Sequence, residues 1–126
     1  MSGANGNRAA FEEFVDVFYR QKRVADAFAL LVADNYRQHN PTIEDGPAAA
    51  VAALTPKFDG SPDARFEVQR ILVDGDLAMV HVKASRPGVP DAAVADIYRF
   101  ENGRIVEHWD VLQPVPANAV HDHPMF

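Results

Sequence analysis

The sequence contains no cysteine, and this absence removes several kinds of chemistry at once. Disulfide bonds, thiolate nucleophiles and zinc sites built on cysteine are all excluded. Basic residues are also scarce, since 12 lysines and arginines stand against 18 aspartates and glutamates, which gives a net charge of −6. Because nucleic acids and anionic membranes both require a basic surface, neither is expected as a partner.

Long apolar runs are missing too. No stretch approaches the roughly 18 to 20 apolar residues that span a bilayer, so no membrane segment is expected. The opening MSGANGNR lacks the apolar core of a signal peptide, which predicts a cytoplasmic protein. The 126 residues show no internal repeat and predict one domain over residues 1–126, with residues 1–7 disordered.

Apolar residues recur at helical spacing in the first part of the chain. They predict helices at residues 8–21, at 24–32, and from Pro47 onwards to about residue 58. Asn7 is placed to cap the first helix. Residues 35–39 have an extended pattern, and Pro41 keeps the preceding Asn40 out of the helical conformation.

After residue 60 the apolar pattern changes to strict alternation, which is typical of strands. It predicts strands at residues 64–73 and 77–85, followed by a hairpin across 94–113 that turns at Asn102-Gly103. Helices followed by consecutive strands indicate an α+β protein, with three N-terminal helices packed on a curved, mostly antiparallel sheet. The other sheet face, which carries Trp109, also needs a cover, and we expect a homodimer through the sheet.

The register of the hairpin decides which of its side chains share a face, because a slip of one residue moves every side chain across. A two-residue loop at Asn102-Gly103 places Asp96 opposite Trp109, whereas a three-residue turn with a glycine bulge places Asp96 opposite His108. We expect the bulged turn, which gathers Asp96, Tyr98, His108 and Asp110 on one face. The other face then carries Ile97, Arg99, Ile105, Glu107, Trp109 and Val111, with Arg99 and Glu107 as a cross-strand pair.

Three motifs carry a resemblance to a known family. They are Tyr36-Arg37-Gln38-His39-Asn40-Pro41, Asp96-Ile97-Tyr98-Arg99-Phe100 and Glu107-His108-Trp109-Asp110. In this order, after two helices, they resemble the SnoaL-like polyketide cyclases, which have the nuclear transport factor 2-like cone fold. The resemblance covers nearly the whole chain from about residue 8. It implies a cone-shaped α+β barrel with a pocket between the helices and the sheet.

The resemblance also implies chemistry. In cyclases of this type an acid in the sheet drives an intramolecular aldol closure without cofactor or metal, and Asp110 resembles that acid. Asp96 resembles the aspartic acid in the DxFRF strand of ketosteroid isomerases, which donates a hydrogen bond to the developing oxyanion. The base of those isomerases falls at Asn40, whose amide cannot abstract a proton. Steroid isomerisation by the same arrangement is therefore not expected, and the fold alone names no substrate.

The residues support the same chemistry without the family. Enolate formation needs a base near the α-carbon and a donor near the carbonyl oxygen. Because two carboxylates in one apolar cavity repel each other, we expect one of Asp96 and Asp110 to stay protonated and donate while the other accepts. His39 or His108 can orient a carboxylate or relay the proton. The predicted catalytic residues are thus Asp96, Asp110, His108 and His39, and the predicted substrate contacts are Asn40, Tyr98, Tyr19, His81 and Gln113.

Other interpretations remain open. Asp96 can be purely structural, and Trp109 can pack at an interface. A metal set of His39, His108 and Asp96 lacks helical histidine spacing. His121 and His123, two apart, can bind a metal, but they are better explained as part of a flexible polar tail, so no metal or cofactor is expected. The leading function is cyclisation or isomerisation of a small hydrophobic, carbonyl-bearing or polyketide-like molecule. The alternatives are a non-catalytic ligand-binding or dimerisation module and an epoxide hydrolase.

Overall fold

A computed structural model describes residues 4–126 as a layer of helices packed on one curved sheet. The helices are α1 (Ala4–Val15), α2 (Val24–Leu31) and α3 (Pro47–Leu54), with a π-helical turn at Asp16–Arg20 and a 3-10 turn at Thr55–Lys57. The strands are β1 (Val32–Gln38), β2 (Arg65–Asp74), β3 (Leu77–Ser85), β4 (Ala92–Glu101) and β5 (Arg104–Pro114). The predicted α+β class is confirmed. None of the helices within residues 4–126 has the length and apolar character needed to cross a bilayer, and the cytoplasmic location stays a prediction.

The sheet has the strand order β1-β5-β4-β3-β2. Strands β2 to β5 form the expected antiparallel meander. The sequence predicted only an extended segment at residues 35–39, but the structure has a full strand there that pairs with β5 in parallel and makes the sheet mixed. The connection through α3 carries the chain from one edge of the sheet to the other, which allows this parallel pair. Gln38 thereby lies beside His108.

The start of α1 differs from the prediction. Residues 4–7, expected to be disordered, belong to the helix, while residues 1–3 lie outside the described part of the chain. Asn7 is not a cap, because it lies inside α1, where it is buried and donates from Nδ2 to the Gly75 carbonyl oxygen at 3.0 Å. This bond ties the helix start to the β2–β3 turn.

The core lies between the helices and the inner face of the sheet. Phe11, Phe14 and Phe18 are buried at the predicted helical spacing, and the Phe14 ring meets the Tyr98 ring at a centroid distance of 5.4 Å. Phe28 of α2 packs on Phe18 at 5.8 Å. Full burial of each such side chain contributes about 1.5–3 kcal/mol to stability. An aromatic wall between the two layers therefore holds the helices on the sheet.

The hairpin turn is tighter than predicted. Asn102 and Gly103 have φ values of 52° and 78°, so they form a two-residue loop with Glu101 opposite Arg104. The expected three-residue turn is wrong. Positive φ at both central positions is the requirement of this loop, and asparagine and glycine meet it.

A β-bulge after the turn restores the expected face. The register shifts beyond Phe100–Ile105, so that Val106 is the additional residue of β5. Asp96 therefore lies opposite Asp110, and the predicted grouping of Asp96, Tyr98, His108 and Asp110 on one face is confirmed with different partners. Ile105 was predicted on the outer face but is buried in the core, because it precedes the bulge. The Arg99–Glu107 pair forms as predicted, with 2.8 Å between Nε and Oε1.

Candidate active site

A cavity of about 310 Å³ opens between the helices and the inner face of the sheet. Most of its wall is aromatic or aliphatic, with side chains that include Phe18, Phe28, Phe58, Phe66, Val82 and Val94. The polar side chains in the wall are Tyr19, Tyr36, Gln38, Asn40, Lys57, Arg86, Asp96, Tyr98, His108 and Asp110. An apolar cavity with a few convergent polar groups is the usual form of a site for a small molecule.

Alternation along the strands brings the polar groups together. Side chains two residues apart on a strand point to the same face. On this principle β1 and the residues just after it supply Tyr36, Gln38 and Asn40, β4 supplies Asp96 and Tyr98, and β5 supplies His108 and Asp110. Tyr19 comes from the helical layer, on the π-helical turn that ends the first helix. Turns of this type are frequent at functional sites.

Both oxygens of the buried Asp96 carboxyl group are occupied. Oδ1 lies 2.8 Å from His108 Nε2, and Oδ2 accepts a hydrogen bond from the Tyr19 hydroxyl at 2.6 Å. The Tyr19 hydroxyl also lies 2.7 Å from the Tyr98 hydroxyl. Asp96 is thus the centre of a buried chain that runs from Tyr98 through Tyr19 to His108.

Gln38 determines which nitrogen of His108 carries a proton. The Gln38 side-chain oxygen accepts the backbone N–H of Asn40 at 3.0 Å, and a backbone N–H can only donate. The same oxygen lies 2.7 Å from His108 Nδ1, so Nδ1 must be the donor in that contact. His108 therefore carries a proton on Nδ1, and Nε2 is the atom that faces Asp96.

The number of protons in the chain follows from its contacts. Three contacts join Tyr98, Tyr19, Asp96 and His108, and each needs one hydrogen. The two neutral tyrosines supply two of these hydrogens. The third lies between Asp96 Oδ1 and His108 Nε2, either as a carboxylate with an imidazolium or as a carboxylic acid with a neutral ring. In both forms the Asp96–His108 pair is neutral overall.

Asp110 is different, because one of its oxygens is open. Asn40 Nδ2 donates to Asp110 Oδ2 at 2.9 Å. The orientation of the Asn40 amide is fixed, since its oxygen accepts the backbone N–H of Thr42 at 2.9 Å and the Thr42 hydroxyl at 2.7 Å. Asp110 Oδ2 is consequently an acceptor, and no group of residues 6–126 bonds to Oδ1. The half-buried Asp110 is the cavity carboxylate that can still accept a proton.

The three tyrosines of the chain all line this cavity and are all buried. Burial, and next the negative charge of Asp96, raise the pKa of Tyr19, Tyr36 and Tyr98 well above the ordinary tyrosine value. The Tyr36 oxygen accepts from Gln38 Nε2 at 3.3 Å. Within the described residues the Tyr36 proton has no acceptor, so its O–H is available to a ligand.

Comparison with known proteins places this geometry in a family. A family model described as a SnoaL-like domain matches residues 4–108, which is most of the chain. The chain belongs to the SnoaL-like family. A search of curated proteins found no significant sequence match to this SnoaL-like protein.

Solved structures agree on the fold of the SnoaL-like protein. A nuclear transport factor 2-like protein of unknown function from Burkholderia xenovorans is 21% identical, with a TM-score of 0.73 over 92% of this chain and 89% of that one. A proposed ketosteroid isomerase from Kribbella flavida is 18% identical, with a TM-score of 0.72 over 94% and 85%. A proposed polyketide cyclase from Acidithiobacillus ferrooxidans is 17% identical, with a TM-score of 0.66 over 85% and 87%. At these identities the likeness shows the cone fold alone.

His39 does not reach the cavity of the SnoaL-like protein. Its ring stacks on Trp109 at a centroid distance of 4.8 Å, and its Nε2 lies 2.6 Å from Glu107 Oε2 on the outer face of the sheet. The His39 ring and then the Arg99 guanidinium lower the pKa of Glu107. His39 and Asn40 are consecutive residues just after β1, and only Asn40 lines the cavity, whereas His39 lies on the outer face.

His81 and Gln113 also lie outside the cavity. His81 sits between Val80 and Val82, which are buried on the inner face, so its ring is on the outer face, where Arg70 donates to its Nδ1. Gln113 is exposed, and it follows Leu112, which lines the cavity. Both were predicted substrate contacts, and in both cases strand alternation places the side chain on the other side. The other predicted contacts, Asn40, Tyr98 and Tyr19, do line the cavity.

Sequence reasoning missed Gln38 and Tyr36. Both belong to the motif at residues 36–41, but neither was among the predicted site residues. The alternation Tyr36, Gln38, Asn40 contained the signal, since one of these residues on the cavity face implies the other two. The extended segment was predicted, but its inward face was not worked out.

Three side chains of the site also suit a metal ion. Asp96, His108 and Asp110 offer ligand atoms that lie within 4.8 Å of one another. The Gln38 contact at Nδ1 leaves Nε2 of His108 as the ligand atom, which is the usual arrangement around a metal-bound histidine. A cation there would replace the proton that Asp96 and His108 share. The metal set considered from sequence included His39, which the structure places on the other face, and the absence of a metal stays a prediction.

The tyrosines provide a first test. Because their pKa values are raised in the folded protein, the unfolded chain releases their protons first, above about pH 10, and the free energy of unfolding falls as pH rises beyond that value. We expect tyrosinate absorbance to appear only with alkaline unfolding, for all three residues together. Tyr19→Phe should make the fall less steep, by up to about 1.4 kcal/mol per pH unit. Titration of a tyrosine in the folded protein near pH 10 would contradict this.

The proton on His108 provides a second test. We expect nitrogen-15 NMR at neutral pH to show a protonated Nδ1 in His108, because Gln38 accepts from it. His81 is an internal control, since Arg70 can only donate and so a bare Nδ1 is expected there. In Gln38→Leu the acceptor is lost, and the Nδ1 signal of His108 should shift toward a mixture of tautomers. A bare Nδ1 in His108 of the unmodified protein would refute the assignment.

Proposed function

We propose that this SnoaL-like protein is an acid–base enzyme that needs no cofactor and removes a proton next to a carbonyl group of a small, mostly apolar molecule. The resulting enolate closes a ring by an aldol-type reaction or is reprotonated elsewhere in an isomerisation. The observation that carries the proposal is the open oxygen of Asp110 in a largely apolar cavity. The names of two structural neighbours, a proposed polyketide cyclase and a proposed ketosteroid isomerase, fall within this class of chemistry.

Asp110 is the base in this proposal. The Asn40 amide holds Oδ2 of the carboxylate, Oδ1 has no partner among the described side chains, and Asp110 lines the cavity. Asp110 also lies directly across from Asp96 on the neighbouring strand. Because Asp96 shares a proton with His108, the two acids do not place two net negative charges side by side. In this proposal Asp110 acts in its carboxylate form beside a neutral pair.

Tyr36 is the donor to the carbonyl oxygen. Its hydroxyl lines the cavity, is nearly fully buried, and has no acceptor for its proton among the described residues. A buried O–H without an acceptor is unfavourable by about 1–3 kcal/mol, so an oxygen of the substrate satisfies it. Asp96 was expected in this role, but both its oxygens are engaged. In this proposal Asp96 and His108 together carry no net charge, and their hydrogen bonds hold the buried side chains of the cavity in place.

Asp110 and Tyr36 account for the proton and the charge at every step of the proposed reaction. The C–H bond next to the carbonyl breaks, its proton moves to Asp110 Oδ1, and its electron pair forms the carbon–carbon double bond of the enolate. The negative charge on the carbonyl oxygen is stabilised by the Tyr36 O–H. In cyclisation the enolate carbon attacks a second carbonyl of the same molecule, and Asp110 returns its proton to the new alkoxide. In isomerisation the proton returns to a different carbon.

The proposal predicts proton exchange on a simple ketone. With 2-tetralone in deuterium oxide, we expect the protein to accelerate deuterium uptake next to the carbonyl, as measured by proton NMR. Asp110→Asn should lower the catalysed rate by about 10²–10⁴-fold, the usual contribution of a general base. Tyr36→Phe should lower it by about 10²–10³-fold, the usual contribution of one oxyanion donor.

Asp122→Asn is the matched control, because it removes an acid from the exposed C-terminal tail. It should exchange at the rate of the unmodified protein. Full activity in Asp110→Asn would refute the base. Binding of 2-tetralone without any exchange above buffer would instead favour the non-catalytic binding module.

We also propose that two copies pair through the outer face of the sheet. That face carries exposed Leu72, Leu77 and Val111 beside Trp109, whereas the inner face is covered by helices. A contiguous exposed apolar surface of this kind is typical of a protein–protein interface. Two identical faces can meet about a twofold axis and cover each other.

Light scattering after size exclusion tests the pairing. The mass of the unmodified protein should be twice that of one chain, and Val111→Glu should raise the dimer dissociation constant at least about tenfold, because it buries an unpaired charge. Val120→Glu is the control, since Val120 is exposed in the tail. A monomer at high concentration, or equal dimerisation of Val111→Glu, would contradict the proposal.

A further inference from the structure

The mouth of the cavity is lined by two cationic side chains. Lys57 comes from the 3-10 turn after α3, and Arg86 comes from the segment that follows β3, so they approach from the helical layer and from the sheet. Both are exposed. The two acids of the cavity, Asp96 and Asp110, are more buried and sit on the central strands β4 and β5.

Neither cation is neutralised by the protein. Among the side chains of residues 6–126, neither Lys57 nor Arg86 makes an ion pair or a side-chain hydrogen bond. Most other cations do: Arg8, Arg20, Arg23, Lys83 and Arg99 pair with acids, Lys22 and Arg104 donate to backbone oxygens, and Arg70 donates to His81. Four cations remain without such a partner, Arg37, Lys57, Arg65 and Arg86. Two of these four line the same cavity in a chain of net charge −6.

The surroundings of the two cations are apolar. The cavity lining includes apolar residues from the β3–β4 loop, which also carries Arg86, and from the end of β5; they are Val89, Pro90, Leu112 and Pro114. Leu54, at the end of α3, lines the cavity together with Lys57 of the following turn. Val89 and Leu112 are 51% and 59% exposed, so they present apolar surface at the opening. A ligand that satisfies this lining has an apolar body and one negative charge at the end that lies in the mouth.

We propose that the substrate is an amphipathic molecule whose carbonyl group enters first and whose anionic group, a carboxylate, stays at the mouth between Lys57 and Arg86. The inward direction of the carbonyl rests on the proposed function, while the anionic end rests on the two cations. The opposite orientation brings the carboxylate against Asp110, which repels it. The charges of the cavity thus define both the class of the ligand and its direction.

The test uses a matched pair of probes, 2-naphthylacetate and the neutral 2-naphthylacetamide, with binding measured by calorimetry. The unmodified protein should bind the carboxylate at least about fivefold more tightly than the amide, since each exposed cation adds a small attraction. Added salt should reduce this ratio, because exposed charges are screened. The ratio should fall to about one in Lys57→Gln/Arg86→Gln, with the affinity for the amide unchanged.

Arg37→Gln/Arg65→Gln is the matched control. It removes the same charge from the other two unpaired cations, which do not line this cavity, and the ratio should persist. Equal affinity for the two probes, no saturable binding of either, persistence of the ratio in Lys57→Gln/Arg86→Gln, or its equal loss in the control would each overturn the inference. Failure of the proposed function is separate, because deuterium exchange can be absent while the carboxylate preference remains.

Discussion

The site depends on one backbone hydrogen bond, from the Asn40 N–H to the side-chain oxygen of Gln38. That bond fixes the Gln38 amide, the amide fixes the proton on His108 Nδ1, and the ring then presents Nε2 to Asp96. The Asn40 N–H can only donate, whereas the side chains that follow can each donate or accept. This one main-chain group therefore determines the donor and acceptor roles along the chain of side chains. The second amide follows the same rule, since the Thr42 N–H fixes Asn40 and Asn40 then donates to Asp110. Both anchors lie in the segment just after β1, so the chain that leaves this parallel edge strand orients the polar groups of β4 and β5.

The sequence predicted the helices, the meander and the inner-face grouping because each of these follows from local periodicity. Phe11, Phe14 and Phe18 recur at the helical period, and Asn102-Gly103 marks the hairpin. The pairing of β1 with β5 was not predictable in the same way, because contacts between distant segments leave no periodic signal. The bulge at Val106 was not predictable either. The predicted inner-face grouping is right only because two errors cancel: the turn is one residue shorter than expected, and β5 has one extra residue. For Ile105, which lies between the turn and the bulge, the errors do not cancel, and its predicted face was wrong.

The errors in the site have one cause. His39, His81 and Gln113 are residue types that suit catalysis or binding, and they were selected for their type, while strand alternation places all three on the outer face. Of the neighbours His39 and Asn40, which follow β1, only Asn40 lines the cavity. Gln38 was overlooked because an uncharged amide has no acid–base chemistry of its own. Its importance appears only when its two acceptor contacts are known.

Asn40 shows why membership of the SnoaL-like family leaves the mechanism open. At the position where the isomerases that the chain resembles carry their base, this chain has an amide that donates to Asp110 across the cavity. An amide cannot remove a proton, but it can hold a carboxylate with one oxygen free. In the proposed mechanism the base therefore lies on β5, at Asp110, and not at the position just after β1. A proton abstracted at Asp110 leaves the substrate on the side of β5, so the bound carbonyl must be oriented for that strand. Fold and family are shared with relatives, whereas this orientation is set by a single amide.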